Sequence, residues 1–408
     1  SALHCVLHSS TSYVQLLYKN GFYGPKLKAF ILTSYYHGNV TIKKIKKLLT
    51  AINIRISVRE INRTINSISE TLDNELDTAR EKAIQEAGYQ QIDDTGANLC
   101  FKNAYTTVTC NPYFTSLFTS FKKNRRNAVM ALVGGKKRPL YKLNNHAIMT
   151  AYLANKSLNL QLCVEQYKSD TIYTEDNIDD FFKLEGIKDL KPRIQDMLKT
   201  CMLVGAFYDG ELGKVGSALV SDDAGQFNQL YDDHLLCWVH ELRHYKDLTP
   251  SFFEHQQELT LFMTEAKSFY KTFKYWIEKR GDELRDYLFK WFNELFSRCT
   301  GYRLLDRRKK KSFNKMEKLL APLFTDIKLP LDNNESERDI RCRVIKRKIS
   351  LFNRTISGAK AWDFYLGLMK TSEKNGVNFY NFLIDRLTLK NKIPQLAEII
   401  NSRVHNFS

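Results

Sequence analysis

GYQQIDDTGANLCFKNAYTTVTCNPYFTSLF (88–118) is where the helical patterning of this chain stops. Within it, Tyr105-Thr106-Thr107-Val108-Thr109-Cys110 and Tyr113-Phe114-Thr115-Ser116-Leu117-Phe118 are rich in β-branched and aromatic residues. Such residues suit a pleated, half-buried surface, so with Tyr89–Ile92 before them they read as consecutive antiparallel strands. The acidic pair Asp93-Asp94 is expected to end or bend the first strand. A later strand, Ser217–Ser221, runs straight into a second acidic pair, Asp222-Asp223. The apolar segment Leu235-Leu236-Cys237-Trp238-Val239 follows it and is expected to close, with His240, a fifth strand. Strands embedded in a mostly helical chain make the fold class α/β, helix-rich.

Outward from this stretch the pattern is helical. Leu27, Phe30 and Ile31 begin the periodicity at Pro25. Ile42, Ile45, Leu48 and Leu49 share one face of a helix started by Val40-Thr41, and Lys43, Lys44, Lys46 and Lys47 occupy the other. After a break at 53–56, Ser57 caps a helix with Val58, Ile61, Ile65 and Ile68 inward and Arg59, Asn62, Arg63 and Asn66 outward. This succession reads as a helix-turn-helix-like DNA-binding region, against the plainer reading of a helical hairpin with solvated lysines. A connecting helix is expected to run to Ala87. Downstream, a helix is predicted over Lys191–Phe207. The aromatic stripes of 251–299 (Phe262, Phe269, Tyr270, Phe273, Trp276) read as core. A basic run, Arg307–Lys311, follows at once. The expected organisation is a helical region over 1–87, a core over 88–244, a helical insertion over 245–330, and the end of the core over 331–408.

Composition narrows the function classes. The chain has 408 residues and a net charge of +17, with a pI near 9.3. An excess of this size points to a polyanionic partner, most often nucleic acid. Hydrophobic content of 43% excludes wholesale disorder. No apolar run approaches the roughly 18 residues of a membrane helix, so no membrane partner is expected. The eight cysteines are scattered and form no CxxC pair, which argues against a zinc ribbon and for reduced thiols in a cytoplasmic protein. Ser1-Ala2-Leu3 lacks an initiating Met, so a trimmed N-terminus is expected.

Three acidic doublets stand out against the basic background: Asp93-Asp94, Asp222-Asp223, and Glu335 with Glu337 in DNNESER (332–338). Taken singly, each is an ordinary turn or surface acid. Together, two Asp and one Glu supply the oxygen donors that hold two Mg²⁺ or Mn²⁺ ions. Such ions activate a water or 3′-hydroxyl for in-line attack on phosphate. Strand geometry lets only one Asp of each pair face such a site. On a helix, Glu335 and Glu337 point about 200° apart, so only one of them can do so.

IDDTGA (92–97), LVSDDAGQF (219–227), CWVHELRHY (237–245) and DNNESERDIRCRVIKRKISLF (332–352) together resemble the insertion sequence 66 family of DDE transposases. The last is the most specific, with Asn333-Asn334, Glu337-Arg338, Arg341, Arg347-Lys348 and Leu351-Phe352 in the family's order. The resemblance implies an RNase H-like core, a mixed five-stranded sheet flanked by helices, with a helical insertion from about Tyr245 to Pro330. It implies Asp93, Asp222 and Glu337 as catalytic and metal-holding residues. Asp94 stands where the family usually has Glu, Asp223 replaces a common Gly, and Glu335 competes with Glu337. Arg338, Arg341, Arg347 and Lys348 would contact DNA phosphates, as would Lys43, Lys44, Lys47, Arg59 and Arg63 from the helical region. His240 would lie near the DNA, its Cys-x-x-His spacing being a weak zinc signal without a second ligand pair. Many family members carry a longer N-terminal region with a coiled segment and a zinc-binding region, and neither is visible here. The implied activity is cutting of transposon ends and joining of their 3′-ends to target DNA. The implied partners are double-stranded DNA and a second copy of the chain or more, associated with the nucleoid of a prokaryote. A nuclease or resolvase of the same fold, which cuts without joining, and a domesticated DNA-binding protein without activity are the alternatives.

Overall fold

The computed structural model describes residues 23–155, 158–214 and 216–406. The expectations for the first 22 residues, and for Cys163's side chain, lie outside the described residues.

Four helices come first: α1 (Pro25–Tyr36), α2 (Ile42–Ala51), α3 (Val58–Asn66) and α4 (Glu70–Ala87). Their starts follow the capping chemistry of the sequence. Thr41 accepts from the Lys44 amide at 3.5 Å, and Ser57 accepts from the Glu60 amide at 3.1 Å. Gly88, at φ 73°, ends α4 in the left-handed conformation and turns the chain into the sheet.

Strands β1 (Tyr89–Leu99), β2 (Lys102–Asn111) and β3 (Phe114–Ser120) form an antiparallel meander. Then come α5 (Arg125–Leu132), β4 (Leu140–Lys142), α6 (Asn145–Ala154), α7 (Leu158–Glu165), β5 (Ile172–Thr174), α8 (Ile178–Phe181) and α9 (Pro192–Tyr208). The short strands β4 and β5 pair with each other as a separate two-stranded sheet, which the sequence reading did not anticipate. Strands β6 (Ala218–Ser221) and β7 (Asp233–Leu236) return to the main sheet in parallel with β1. Its order is β3-β2-β1-β6-β7, the mixed five-stranded sheet that the resemblance implied.

Helices α10 (Trp238–Lys246), α11 (Phe253–Lys279), α12 (Asp282–Ser297), α13 (Arg303–Phe313) and α14 (Met316–Leu319) come next, before α15 (Asn334–Ser350), α16 (Ile356–Lys374), α17 (Phe379–Leu387) and α18 (Leu396–Asn406). No helix among the described residues is long and apolar enough to cross a membrane.

Two local expectations are corrected. Asp93-Asp94 neither ends nor bends β1, because β2 continues its ladder through Asp93↔Val108 and Asp94↔Thr107 as far as Leu99. What does end there is the pairing on the other edge, whose last partners are Gln91↔Val220. Residues 237–240 do not close a strand either. The Cys237 amide makes the last bond to the sheet at Ser221 O, and the Trp238 amide then turns to Leu331 O. Cys237 caps α10 and His240 sits in its first turn.

Side-chain alternation divides the sheet into two faces. Ile92 and Leu219 face a core built with α5 through α9. On the opposite face, Val108 and Leu117 pack under α15 and α16, in a core shared with α1 through α4 and with α17 and α18. Ala218 and Val220 pack on that same face under the aromatic helices of 238–331. Trp238, fully buried there, donates its indole N–H to Leu319 O at 2.8 Å and is ringed by Phe269, Phe273, Phe292 and Phe296. The aromatic stripes are therefore core, as the periodicity predicted.

Candidate active site

Asp93 and Asp222 come together through strand register. The parallel pairing of β1 and β6 ends at Gln91↔Val220. Asp93 and Asp222 each lie two residues beyond that last pair on neighbouring stretches of chain, close enough that the charge of Asp222 raises the Asp93 carboxyl. The face of β1 that carries Asp93 is the one covered by α15. Asp222 lies one residue beyond β6, with its Oδ1 accepting from the Ala224 amide at 3.1 Å.

Glu337 is delivered by the start of α15. Asn333, fully buried, donates from Nδ2 to Ile92 O at 2.9 Å, one residue before Asp93. The Ser336 amide donates to Gln91 Oε1 at 3.3 Å, and the Ser336 hydroxyl closes onto Asn333 O at 2.8 Å. These bonds pin the first turn of the helix to β1. Glu337 then points toward α10, with its Oε1 3.5 Å from His240 Nε2.

Each doublet splits into one acid held by a lysine and one that is not. Asp94 accepts from Lys123 Nζ and from Gln226 Nε2, both at 2.8 Å, on the far face of the sheet. Lys315 pairs with Asp223. Lys374 Nζ lies 2.9 Å from Glu335 and 2.6 Å from Asp339. No described lysine or arginine pairs with Asp93, Asp222 or Glu337. Strand alternation sends Asp93 and Asp94 to opposite faces of β1, and the 100° step of the helix parts Glu335 from Glu337.

Electrostatics mark the unpaired trio. Burial, together with the charges of Asp222, Asp94 and Glu337, pushes the Asp93 carboxyl up to about 7, against the hydrogen bond it accepts from the Asp94 amide. Burial also raises Asp222, opposed by the Ala224 amide and His240. Glu337 Oε1 is buried with no hydrogen-bond partner. Among the described residues, no group of three or more His, Cys, Asp or Glu side chains stands as a ready-made metal cage. The chemistry of the trio nevertheless suits a cation: desolvated carboxylate oxygens that repel one another, one of them orphaned, are what a hard divalent ion such as Mg²⁺ or Mn²⁺ relieves.

The basic residues singled out in the sequence separate by burial. On α15, Arg338, Arg341 and Lys348 are exposed and Arg347 is half-buried. Arg343 and Lys346 of the same helix are buried instead. Arg343 donates to Thr106 Oγ1 at 3.1 Å and to Asn353 Oδ1 at 2.7 Å, and Lys346 bonds to Tyr35 O. Lys43, Lys44, Lys47 and Arg59 are exposed on α2 and α3, away from the acids, and Arg63 is held by Glu60 at 3.1 Å. The sequence reading missed Gln91, Lys123, Gln226, Ser336 and Lys374, whose roles depend on contacts across long stretches of chain. Asn333 was visible as part of a motif, but its tie to β1 was not.

A family model described as "Transposase IS66 family" matches residues 204–361, a span that holds Asp222 and Glu337. A curated relative, the uncharacterized protein y4jO of Sinorhizobium fredii, is 30% identical over 321 residues, which is 78% of this chain and 97% of the relative.

Proposed function

This chain belongs to the insertion sequence 66 family of transposases, and on that premise we propose that Asp93, Asp222 and Glu337 form a divalent-metal site that cuts transposon ends and joins them to target DNA. The observation that carries the proposal is the sorting of the three doublets. Lys123, Lys315 and Lys374 pair directly with Asp94, Asp223 and Glu335, whereas no described lysine or arginine lies in ion-pair range of Asp93, Asp222 or Glu337, beside which only His240 stands close to Glu337.

The carboxylates of Asp93, Asp222 and Glu337 would hold Mg²⁺ or Mn²⁺, which supplies Lewis-acid stabilisation of charge on the phosphate and its attacking oxygen. In the first step water attacks a phosphodiester at the transposon end, the P–O3′ bond breaks, and the departing oxygen becomes a 3′-hydroxyl. In the second, that hydroxyl attacks a target phosphodiester; one P–O bond forms as another breaks, so the step needs no external energy source. Asn333, Ser336 and Gln91 hold Glu337 in place. His240, its Nε2 3.5 Å from Glu337 Oε1, stands at the edge of the site, where it would lie near the DNA. Arg338, Arg341 and Lys348 face outward on the same helix as Glu337 and meet DNA phosphates. Lys43, Lys44, Lys47 and Arg59 on the helix-turn-helix-like α2–α3 pair add a second contact. Two ends must be brought together before joining, so the working form is a dimer or a higher assembly.

The test uses a labelled duplex carrying the terminal repeat that flanks the gene, with Mg²⁺ or Mn²⁺. Wild type is expected to release a 3′-hydroxyl end and to yield joined products, and Asp222→Asn and Glu337→Gln to do neither. Equal cleavage by all three proteins would reject the site. Cleavage without joined products would favour a nuclease.

A further inference from the structure

Helix α13, RLLDRRKKKSF, holds six basic residues and one acid, and the site described above uses none of them. Its charges divide by role. Arg308 pairs with buried Glu241 of α10, and Lys309, itself buried, bonds to Arg298 O. The single acid, Asp306, is spent on the preceding loop, where it accepts from the Thr300 amide at 2.9 Å and the Thr300 hydroxyl at 3.0 Å. Arg303, Arg307, Lys310 and Lys311 remain, exposed, with no described carboxylate in ion-pair range.

The spacing of three of these is regular. Arg303, Arg307 and Lys310 stand at i, i+4 and i+7, so they form one stripe along the helix. The turn that follows α13 leads to Lys315, which pairs with Asp223, the neighbour of Asp222. The C-terminal end of α13 is thereby tied to the residue next to Asp222. From Arg303 to Lys310 the stripe rises about 10 Å at the α-helical 1.5 Å per residue. A DNA strand advances about 3.4 Å per nucleotide, so the stripe matches roughly three phosphates of one strand. Beside it lies a groove of about 340 Å³ floored by Phe296 and Phe313 and containing Cys299, an exposed thiol.

We infer that the Arg303–Arg307–Lys310 stripe of α13 is a DNA-backbone track that carries duplex DNA from the insertion to the Asp93–Asp222–Glu337 site. The inference rests on the function proposed above for that site. An unpaired cation stripe costs self-repulsion, and a phosphate backbone offsets it while releasing counterions. The contacts are to phosphates, so the track is indifferent to sequence and serves whichever duplex occupies it.

The experiment measures binding of the full chain to duplex DNA in EDTA, so that no cleavage intervenes, over a range of salt. Arg303→Gln/Arg307→Gln/Lys310→Gln is compared with wild type and with Lys267→Gln/Lys271→Gln/Lys274→Gln, which removes the same charge from exposed positions on α11. The stripe variant is expected to lower the slope of log affinity against log salt by about 2 to 3, at roughly 0.9 per lost phosphate contact. The α11 variant is expected to keep the wild-type slope. In wild type, bound DNA is expected to slow maleimide labelling of Cys299, followed by peptide mass. That readout holds even if a variant folds poorly. A wild-type slope in the stripe variant, equal losses in both variants, or undiminished Cys299 labelling would overturn the track. Each of these results leaves the catalytic reading standing if Asp222→Asn has lost cleavage. Cleavage by Asp222→Asn at the wild-type rate would sink the catalytic reading whatever the slope.

Discussion

Lys374 Nζ lies 2.9 Å from Glu335 Oε1, and that ion pair decides which glutamate of α15 is left over. The lysine is largely buried, also contacts Asp339 at 2.6 Å, and donates to the carbonyls of Asn111 and Phe114. Glu335 is thereby committed to joining α15 to α16 and to the β2–β3 turn. Glu335→Gln keeps a hydrogen-bonding side chain, so cleavage is expected to stay within a few-fold of wild type. Glu337→Gln is expected to reduce it by roughly 10²-fold or more, the scale of losing one transition-state contact. Lys374→Met strands two acids in the interior and is expected to cost about 3–5 kcal/mol in denaturant unfolding.

Asp93 makes the metal-free protein less stable as the solution becomes more alkaline. Its folded value, raised to about 7 mainly by burial, exceeds the ordinary value near 3.9 of an unfolded Asp. Between these limits the folded state binds more protons than the unfolded one, so stability falls as pH rises. The contribution is complete below about pH 4 and is lost by about pH 7. In EDTA, the melting temperature of wild type relative to Asp93→Asn is expected to decline between pH 5 and pH 7 and then level off. A difference that stays constant with pH would contradict the burial of Asp93.

How much of this was legible in the sequence depends on the range of the contact. The meander of 102–120 was readable because β-branched and aromatic residues mark strands locally. Caps at Thr41 and Ser57 were readable for the same reason. The members of each doublet were left undecided because the deciding partners, Lys123, Lys315 and Lys374, sit on other elements. Alternation says that one of Asp93 and Asp94 faces each way, but only the packing of α15 on one face says which face matters. The shared core of α1–α4 with α16–α18 was invisible for a similar reason. Its contacts, such as the stacked Tyr36 and Tyr365 rings 4.7 Å apart, join residues over three hundred positions distant. Segment 237–240 misled because its apolar residues fit a strand as well as a buried helix start.

Asn333 fixes the start of the helix that carries Glu337. Its Nδ2 holds Ile92 O at 2.9 Å and its amide meets Cys237 Sγ at 3.2 Å, so it couples β1, α10 and α15 at one point. Asn333→Ala removes the tie and leaves a buried carbonyl without that donor, at a cost of about 1–3 kcal/mol. The expected signature is a fall in turnover with little change in DNA affinity, because the exposed Arg338 and Arg341 proposed to meet phosphates are untouched. Affinity falling in step with turnover would instead mean that the whole α15 had shifted.

Arg386 of α17, only 6% exposed, makes a two-pronged pair with Glu75 of α4, Nε to Oε2 at 2.7 Å and Nη2 to Oε1 at 2.8 Å. It also donates to Ile393 O and Pro394 O, which hold the turn before α18. Glu75 in turn accepts from the Leu396 amide at 3.1 Å, at the start of α18. Removing the guanidinium leaves a buried Glu75 carboxylate and two carbonyls without their donor. Arg386→Met is therefore expected to destabilise the protein by about 3–5 kcal/mol. Arg386→Met/Glu75→Leu also removes the stranded Glu75 charge and is expected to recover part of that loss, while Asp385, the other carboxylate paired with Arg386, keeps the Lys392 and Ile393 amides. Denaturant unfolding of the two single variants and the double variant checks it, because non-additivity is the mark of a direct pair. Additive losses would mean that the Arg386–Glu75 pair contributes nothing beyond its two members taken singly.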